Sequence, residues 1–148
     1  MLVQQILKDK SGDGADESVV SVAPGSSVGE AAKMLSLRRI GAVVVSSDGR
    51  QMAGILSERD IVRAIGANGP GCLADPVESL MTSKIVSATR TETVDSVLGK
   101  MTDGRFRHMP VMEGSEMVGL ISIGDVVKAQ LAELSMEKEA LEGMIKGF

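Results

Sequence analysis

Gly54-Ile55-Leu56-Ser57-Glu58-Arg59-Asp60 returns in the second half of the chain as Gly119-Leu120-Ile121-Ser122-Ile123-Gly124-Asp125. In each copy two aliphatic residues lead to a hydroxyl and then, three positions on, to a carboxylate, which reads as a strand running into a helix. Such a junction exposes unpaired backbone N–H groups and the positive end of the helix dipole, both of which favour a phosphate or another polar ligand. A carboxylate placed there can accept two hydrogen bonds from a vicinal diol. The same residues read equally well as local structure: Ser57 and Ser122 as helix N-caps, Asp60 and Asp125 as favourable charges in the first helical turn.

Outward from this heptad the whole chain is written twice. Val28, Ala31, Ala32 and Leu35 recur at helical spacing, and Val94, Val97, Leu98 and Met101 repeat that spacing in the second copy. Each set places four apolar side chains on one helix face. Ser27-Val28-Gly29-Glu30 reads as a capping box for the first helix, and Gly104 is placed to end the second. Short apolar runs follow, Ala42-Val43-Val44-Val45 and Met109-Pro110-Val111-Met112, which read as buried strands. The turns Ser47-Asp48-Gly49 and Glu113-Gly114-Ser115 then lead into the two heptads.

With Val20-Ser21-Val22 and Val86-Ser87-Ala88 as opening strands, each copy reads strand, helix, strand, strand, helix. The helix between the first two strands implies a parallel pair with a right-handed crossover. A unit this small buries too little alone, so two packed together explain the duplication. Even the lead-ins repeat, Val3-Gln4-Gln5-Ile6-Leu7 resembling Val77-Glu78-Ser79-Leu80-Met81. Ser11–Glu17 reads as a polar loop and Gly66–Gly71 as the linker by its glycine and proline content. The expected organisation is an N-terminal helix and polar loop over 1–18, a first repeat over 19–65, a linker over 66–76, a second repeat over 77–130 and a C-terminal helix extension over 131–148.

Composition narrows the function. The chain has 148 residues, 43% hydrophobic and 24% charged, enough apolar material for a core. A net charge of −4 offers no broad field for nucleic acid or anionic lipid, so an anionic ligand needs a local basic cluster. Trp and Tyr are absent and only Phe106 and Phe148 are aromatic, so there is no base-stacking platform. One cysteine, Cys72, and one histidine, His108, make neither a multi-thiolate metal site nor a recognisable nucleophile–base pair. No apolar run approaches the ~18 residues of a membrane helix, and the start of the chain lacks the basic segment and cleavage site of a signal peptide. These features point to a non-enzymatic protein of a reducing compartment, the cytoplasm.

The repeated heptad, in a chain that duplicates almost throughout, resembles the CBS domain, named after cystathionine β-synthase, as a tandem pair. The resemblance implies an α/β (α+β) fold of two β-α-β-β-α repeats related by a pseudo-two-fold axis and packed through their sheets. It also implies an adenine nucleotide (AMP, ADP, ATP or NAD(H)) in the cleft between the repeats, sensed rather than transformed. S-adenosylmethionine belongs to the same ligand class. Carried onto these positions, Ser57 and Asp60 would hold a ribose. Arg105, Phe106, Arg107, His108, Met109 and Pro110 would face them from the other repeat. Ile85 and Val86 would touch the base, with Ile55 and Pro110 beside it.

The mirror cleft would use Ser122, Asp125 and Ile121 with Arg39, Ile40, Gly41 and Ala42, plus Val19 and Val20. The two are unequal. Arg105, Arg107 and His108 can pair with phosphate oxygens, whereas Gly41 and Ala42 stand in the places of Arg107 and His108. The Asp60 cleft is therefore expected to bind phosphate better, despite Arg38 and Arg39 in the first copy. Arg59 and Arg63 either add positive charge near Asp60 or form an exposed helix face.

At the C-terminus, Val127, Leu131, Leu134, Leu141 and Ile145 follow a 4,3,7,4 spacing interrupted by Lys138. That stripe suits packing along another helix or against the chain's own domain. Members of the family dimerise through helices, which implies a homodimer, and a regulatory module implies an unidentified client protein. The alternative is a structural or oligomerisation module that binds a client with its clefts empty.

Overall fold

The computed structural model describes residues 1–12 and 19–146. The elements are α1 (Val3–Gly12), β1 (Ser21–Val22), α2 (Val28–Arg38), β2 (Ala42–Val45), β3 (Gly54–Ser57), α3 (Glu58–Asn68), α4 (Val94–Gly104), β4 (His108–Glu113), β5 (Glu116–Ser122) and α5 (Ile123–Lys146). Two 3-10 turns, Pro70–Ala74 and Val77–Ser79, stand between α3 and α4. The fold is of mixed α/β class, as expected.

Contacts divide the chain into two compact units. The first-repeat unit holds residues 19–85 and Glu113–Val118; the second-repeat unit holds residues 1–12, Val86–Met112 and residues 119–146. Each unit thus holds the body of one repeat and the lead-in of the other, and the first-repeat unit also takes Glu113–Val118 from the second repeat.

In the first-repeat unit β1 runs parallel to β2, and β2 antiparallel to β3, in the order β1-β2-β3. This is the crossover that the helix between the first two strands predicts. Val28, Ala31 and Leu35 of α2 meet Val43, Val45, Leu56 and Ile61 in one buried cluster. Val77 from the second lead-in completes it, with Leu80 and Met81 packed against it. Each fully buried valine or leucine here contributes roughly 1.5–3 kcal/mol. Ser27 caps α2 by accepting from Glu30 N–H at 3.1 Å.

The second-repeat unit repeats the plan around β4 and β5. Val94, Val97 and Met101 of α4 are buried, as are Met109, Val111 and Ile121, and Val3 and Ile6 of the first lead-in. Thr93 caps α4, accepting from Ser96 N–H at 3.1 Å. The strand expected over Val86–Ala88 narrows to one parallel bridge, Ala88 to Val111, in which Ala88 N–H donates to Pro110 O and Met112 N–H to Ala88 O.

The lead-ins are pinned alike. Val3 N–H donates to Glu92 O and Val94 N–H to Met1 O; correspondingly, Val77 N–H donates to Ser26 O and Val28 N–H to Asp75 O. Each lead-in then crosses the first residue of a heptad. A Cβ on Gly54 would lie 2.9 Å from Thr82 O and against the Met81 side chain, and one on Gly119 would strike Leu7. Glycine opens both heptads because another segment passes there.

Two readings of local structure change. Ser11 and Gly12 are the last residues of α1 rather than the start of a loop, and the rest of that polar stretch lies outside the described residues. Helix α3 runs on through Gly66, Ala67 and Asn68, and the segment after it forms a 3-10 turn over Cys72, which is buried.

Candidate functional site

The heptads do become strand-to-helix junctions. Ser57, with extended backbone, ends β3, and its Oγ accepts from Asp60 N–H at 3.2 Å while Asp60 Oδ2 accepts from Ser57 N–H at 2.9 Å. Ser122 and Asp125 make the same reciprocal pair at the start of α5, at 3.1 Å and 2.9 Å. The capping role is therefore real in both copies. It uses one carboxylate oxygen of each aspartate, Oδ2, and among the described residues leaves Oδ1 for another donor. The helix starts are tied to the segment before the second strand of the same repeat: Glu58 N–H donates to Gly41 O at 2.9 Å and Ile123 N–H to Arg107 O at 2.8 Å.

The candidate residues divide by unit. On the first-repeat unit lie Ile55, Ser57, Arg59, Asp60 and Ile85, together with Val19, Val20, Arg39, Ile40, Gly41 and Ala42. On the second-repeat unit lie Val86, Arg105 to Pro110, Ile121, Ser122 and Asp125. Arg59, Arg63, Arg38, Arg39, Arg105 and Arg107 are exposed, so their charges are available to solvent or ligand. Met109, Ile121 and Val111 are fully buried. Their side chains belong to the core, and any part Met109 or Ile121 takes in binding falls to their backbone groups. Val86, by contrast, is 46% exposed.

The two aspartates differ in their partners. Asp125 Oδ2 accepts from Lys10 Nζ at 2.9 Å, and Lys10 also donates to Leu120 O at 3.0 Å. Partial burial raises the Asp125 pKa, but the Ser122 N–H bond and the Lys10 charge outweigh it and hold the carboxyl below its ordinary value. Asp60 makes no ion pair among the described residues. Sequence reading missed Lys10, whose only signal was its place in a lead-in that partly repeats. Among the described residues no group of His, Cys, Asp and Glu could hold a metal ion, and no helix is long and apolar enough to cross a membrane.

Comparison with known proteins shows the family to which the repeats belong. The family model of the CBS domain matches twice, over residues 15–67 and 77–132. The chain belongs to the CBS-domain family. Among CBS relatives, a mitochondrial CBS-domain-containing protein of Arabidopsis thaliana is 35% identical over 149 residues, which span 98% of this chain and 72% of the relative. The crystal structure of a CBS-domain-containing protein from Agrobacterium tumefaciens is 42% identical, with a TM-score of 0.80, over 88% of this chain and 99% of that one. A CBS-domain protein of Pyrobaculum aerophilum solved in complex with AMP is 25% identical, with a TM-score of 0.75, over 92% and 99% of the two chains. The tandem CBS organisation read from the repeated heptads is thus the family's.

Proposed function

We propose that the chain is a regulatory module that binds an adenine nucleotide, with residues of both CBS repeats contributing, and carries out no chemistry of its own. The observation that carries this reading is the Ser57–Asp60 pair at the start of α3. The Ser57 N–H fixes one carboxylate oxygen and leaves the other for the hydroxyls of a ribose. AMP in the Pyrobaculum relative supports the ligand class. Arg105, Arg107 and His108 supply the charge for phosphate oxygens, and Ile85 and Val86 supply aliphatic surface for the base, to which Ile55 and Pro110, buried in the single chain, add less. ADP, ATP and NAD(H) share the adenosine portion that these groups would hold. The nucleotide acts by favouring one conformation, to the extent that it binds that conformation better, and a client protein reads the difference.

The test begins with a spectrum. A protein without Trp and Tyr hardly absorbs in the near ultraviolet, so a purine band in the gel-filtered protein, released by denaturation and identified by mass, reports bound nucleotide. Calorimetric titration with AMP, ATP and NADH then ranks the ligands. No band and no heat with any of the three would defeat the reading.

A second reading rests on α5. Leu131, Leu134, Leu141 and Ile145 are between 50% and 77% exposed along one helix. This stripe favours a homodimer, and with empty clefts it would leave an oligomerisation module that presents a client-binding surface. Cys72 as a lone, buried thiol suits a reducing compartment such as the cytoplasm.

A further inference from the structure

Asp60 and Asp125 are equivalent in sequence and alike in their caps, yet among the described residues only Asp125 carries an ammonium group. The difference arises in the lead-ins. Laying Val3–Leu7 on Val77–Met81 sets Lys10 opposite Lys84. Both lead-ins start on the same backbone hydrogen bonds and then part. The first continues as α1 through Gly12, and the short rise of a helix keeps Lys10 near the point where Leu7 crosses Gly119. The second makes one 3-10 turn, Val77–Ser79, and goes extended. Ile55 N–H donates to Thr82 O at 3.0 Å and Thr82 N–H to Ile55 O at 2.9 Å. Lys84 ends exposed and without an ion pair among the described residues. Lys8 suits a helix, whereas the β-branched Thr82, opposite it, suits an extended chain.

We propose that Lys10 closes the Asp125 position to nucleotide, so that the chain takes one nucleotide, at Asp60. This rests on the adenine-nucleotide reading above. A ribose hydroxyl is a neutral donor, while Lys10 offers Asp125 a charge-assisted bond and is itself satisfied by Leu120 O. Lys10 holds Oδ2, so a ribose at Asp125 would have to bond Oδ1 of a carboxylate already neutralised by a partly buried ammonium beside it, which makes that oxygen a weaker acceptor than its counterpart on Asp60.

The experiment is the stoichiometry of AMP on the whole chain, by calorimetry and equilibrium dialysis, for wild type, Lys10→Ala and Lys10→Met. The methionine variant keeps the stem of the side chain in case alanine loosens α1. Wild type is expected to take one AMP per chain and the Lys10 variants two, with Asp125→Asn in the Lys10→Met background returning the count to one. Two AMP on the wild type, or one on both variants, would overturn the inference and leave the nucleotide reading standing. No AMP on the wild type but one on Lys10→Met would support closure by Lys10 and remove Asp60 as the site. No AMP on any of them would overturn both.

Discussion

Arg39 and Arg105 hold the same left-handed backbone conformation, φ 54° and φ 55°, at the C-termini of α2 and α4. Each closes its helix by donating its N–H to the carbonyl of Leu35 or Met101, and Ile40 and Phe106 bond the same carbonyls. Glycine is the usual occupant of such a position. Arginine there carries strain, and strain of this kind gathers where a side chain is needed for binding.

Replacing either arginine by glycine separates strain from binding. The left-handed conformation costs an L-residue about 1–2 kcal/mol, and the greater unfolded freedom of glycine offsets about 0.5–1 kcal/mol of the relief. Arg39→Gly and Arg105→Gly are each expected to stabilise the fold by about 0.5 kcal/mol in urea denaturation. Only Arg105→Gly is expected to weaken AMP, because Arg105 belongs to the proposed phosphate cluster. Unchanged AMP affinity in Arg105→Gly would remove that residue from the cluster.

The two aspartates give the sharpest contrast. Asp60→Ala and Asp125→Ala each lose half of a capping box, about 1 kcal/mol of stability, and Asp125→Ala should lose more because it also leaves Lys10 without its carboxylate. Their effects on ligand should differ. Asp60→Ala is expected to weaken AMP at least tenfold, about 1.4 kcal/mol, while Asp125→Ala changes it less than twofold. Calorimetry on both variants checks this, and equal losses would refute the asymmetric assignment.

Much of this was readable beforehand, and the reason is periodicity. β2 over Ala42–Val45, β3 from Gly54 and the faces of α2 and α4 follow from apolar spacing alone. The junctions at Ser57 and Ser122 follow from the heptad. What escaped is tertiary. Lys10 meets Asp125 from the far end of the chain, and no local pattern encodes that distance. The similarity of the two lead-ins concealed that one stays helical and the other becomes extended. Gly66 fell inside α3 because Ile61 and Ala64 anchor that helix on the core, which overrides the low propensity of an exposed glycine.

The Lys10–Asp125 pair also fixes a pH dependence. Burial opposes ionisation of Asp125, but the Ser122 N–H and Lys10 prevail, so the folded pKa lies below the ordinary value near 3.8. A carboxyl lowered on folding stabilises the protein above its unfolded pKa, and that stabilisation is lost as pH falls through the folded value. In carboxyl-resolved NMR titrations the Asp125 pKa is expected to rise in Lys10→Met. Correspondingly, the stability gap between wild type and Lys10→Met should be constant above about pH 5 and should narrow below about pH 4. An unchanged Asp125 titration would mean that the pair is not maintained in solution.

Helix α5 supplies the last expectation. Leu131, Leu134, Leu141 and Ile145, with Lys138, repeat at the a and d spacing of a coiled coil, and the four apolar residues are at least half exposed. A helix that leaves such a seam open gains by laying it against a second copy, and a lysine at one core position restricts the register. The chain is expected to be a dimer by light scattering at micromolar concentration. Leu134→Glu with Leu141→Glu should make it a monomer. Both side chains are exposed in the single chain, so the substitutions should change monomer stability by no more than about 0.5 kcal/mol. A double variant that remains dimeric would place the interface on other helices, and a monomeric wild type would reserve the seam for a different protein.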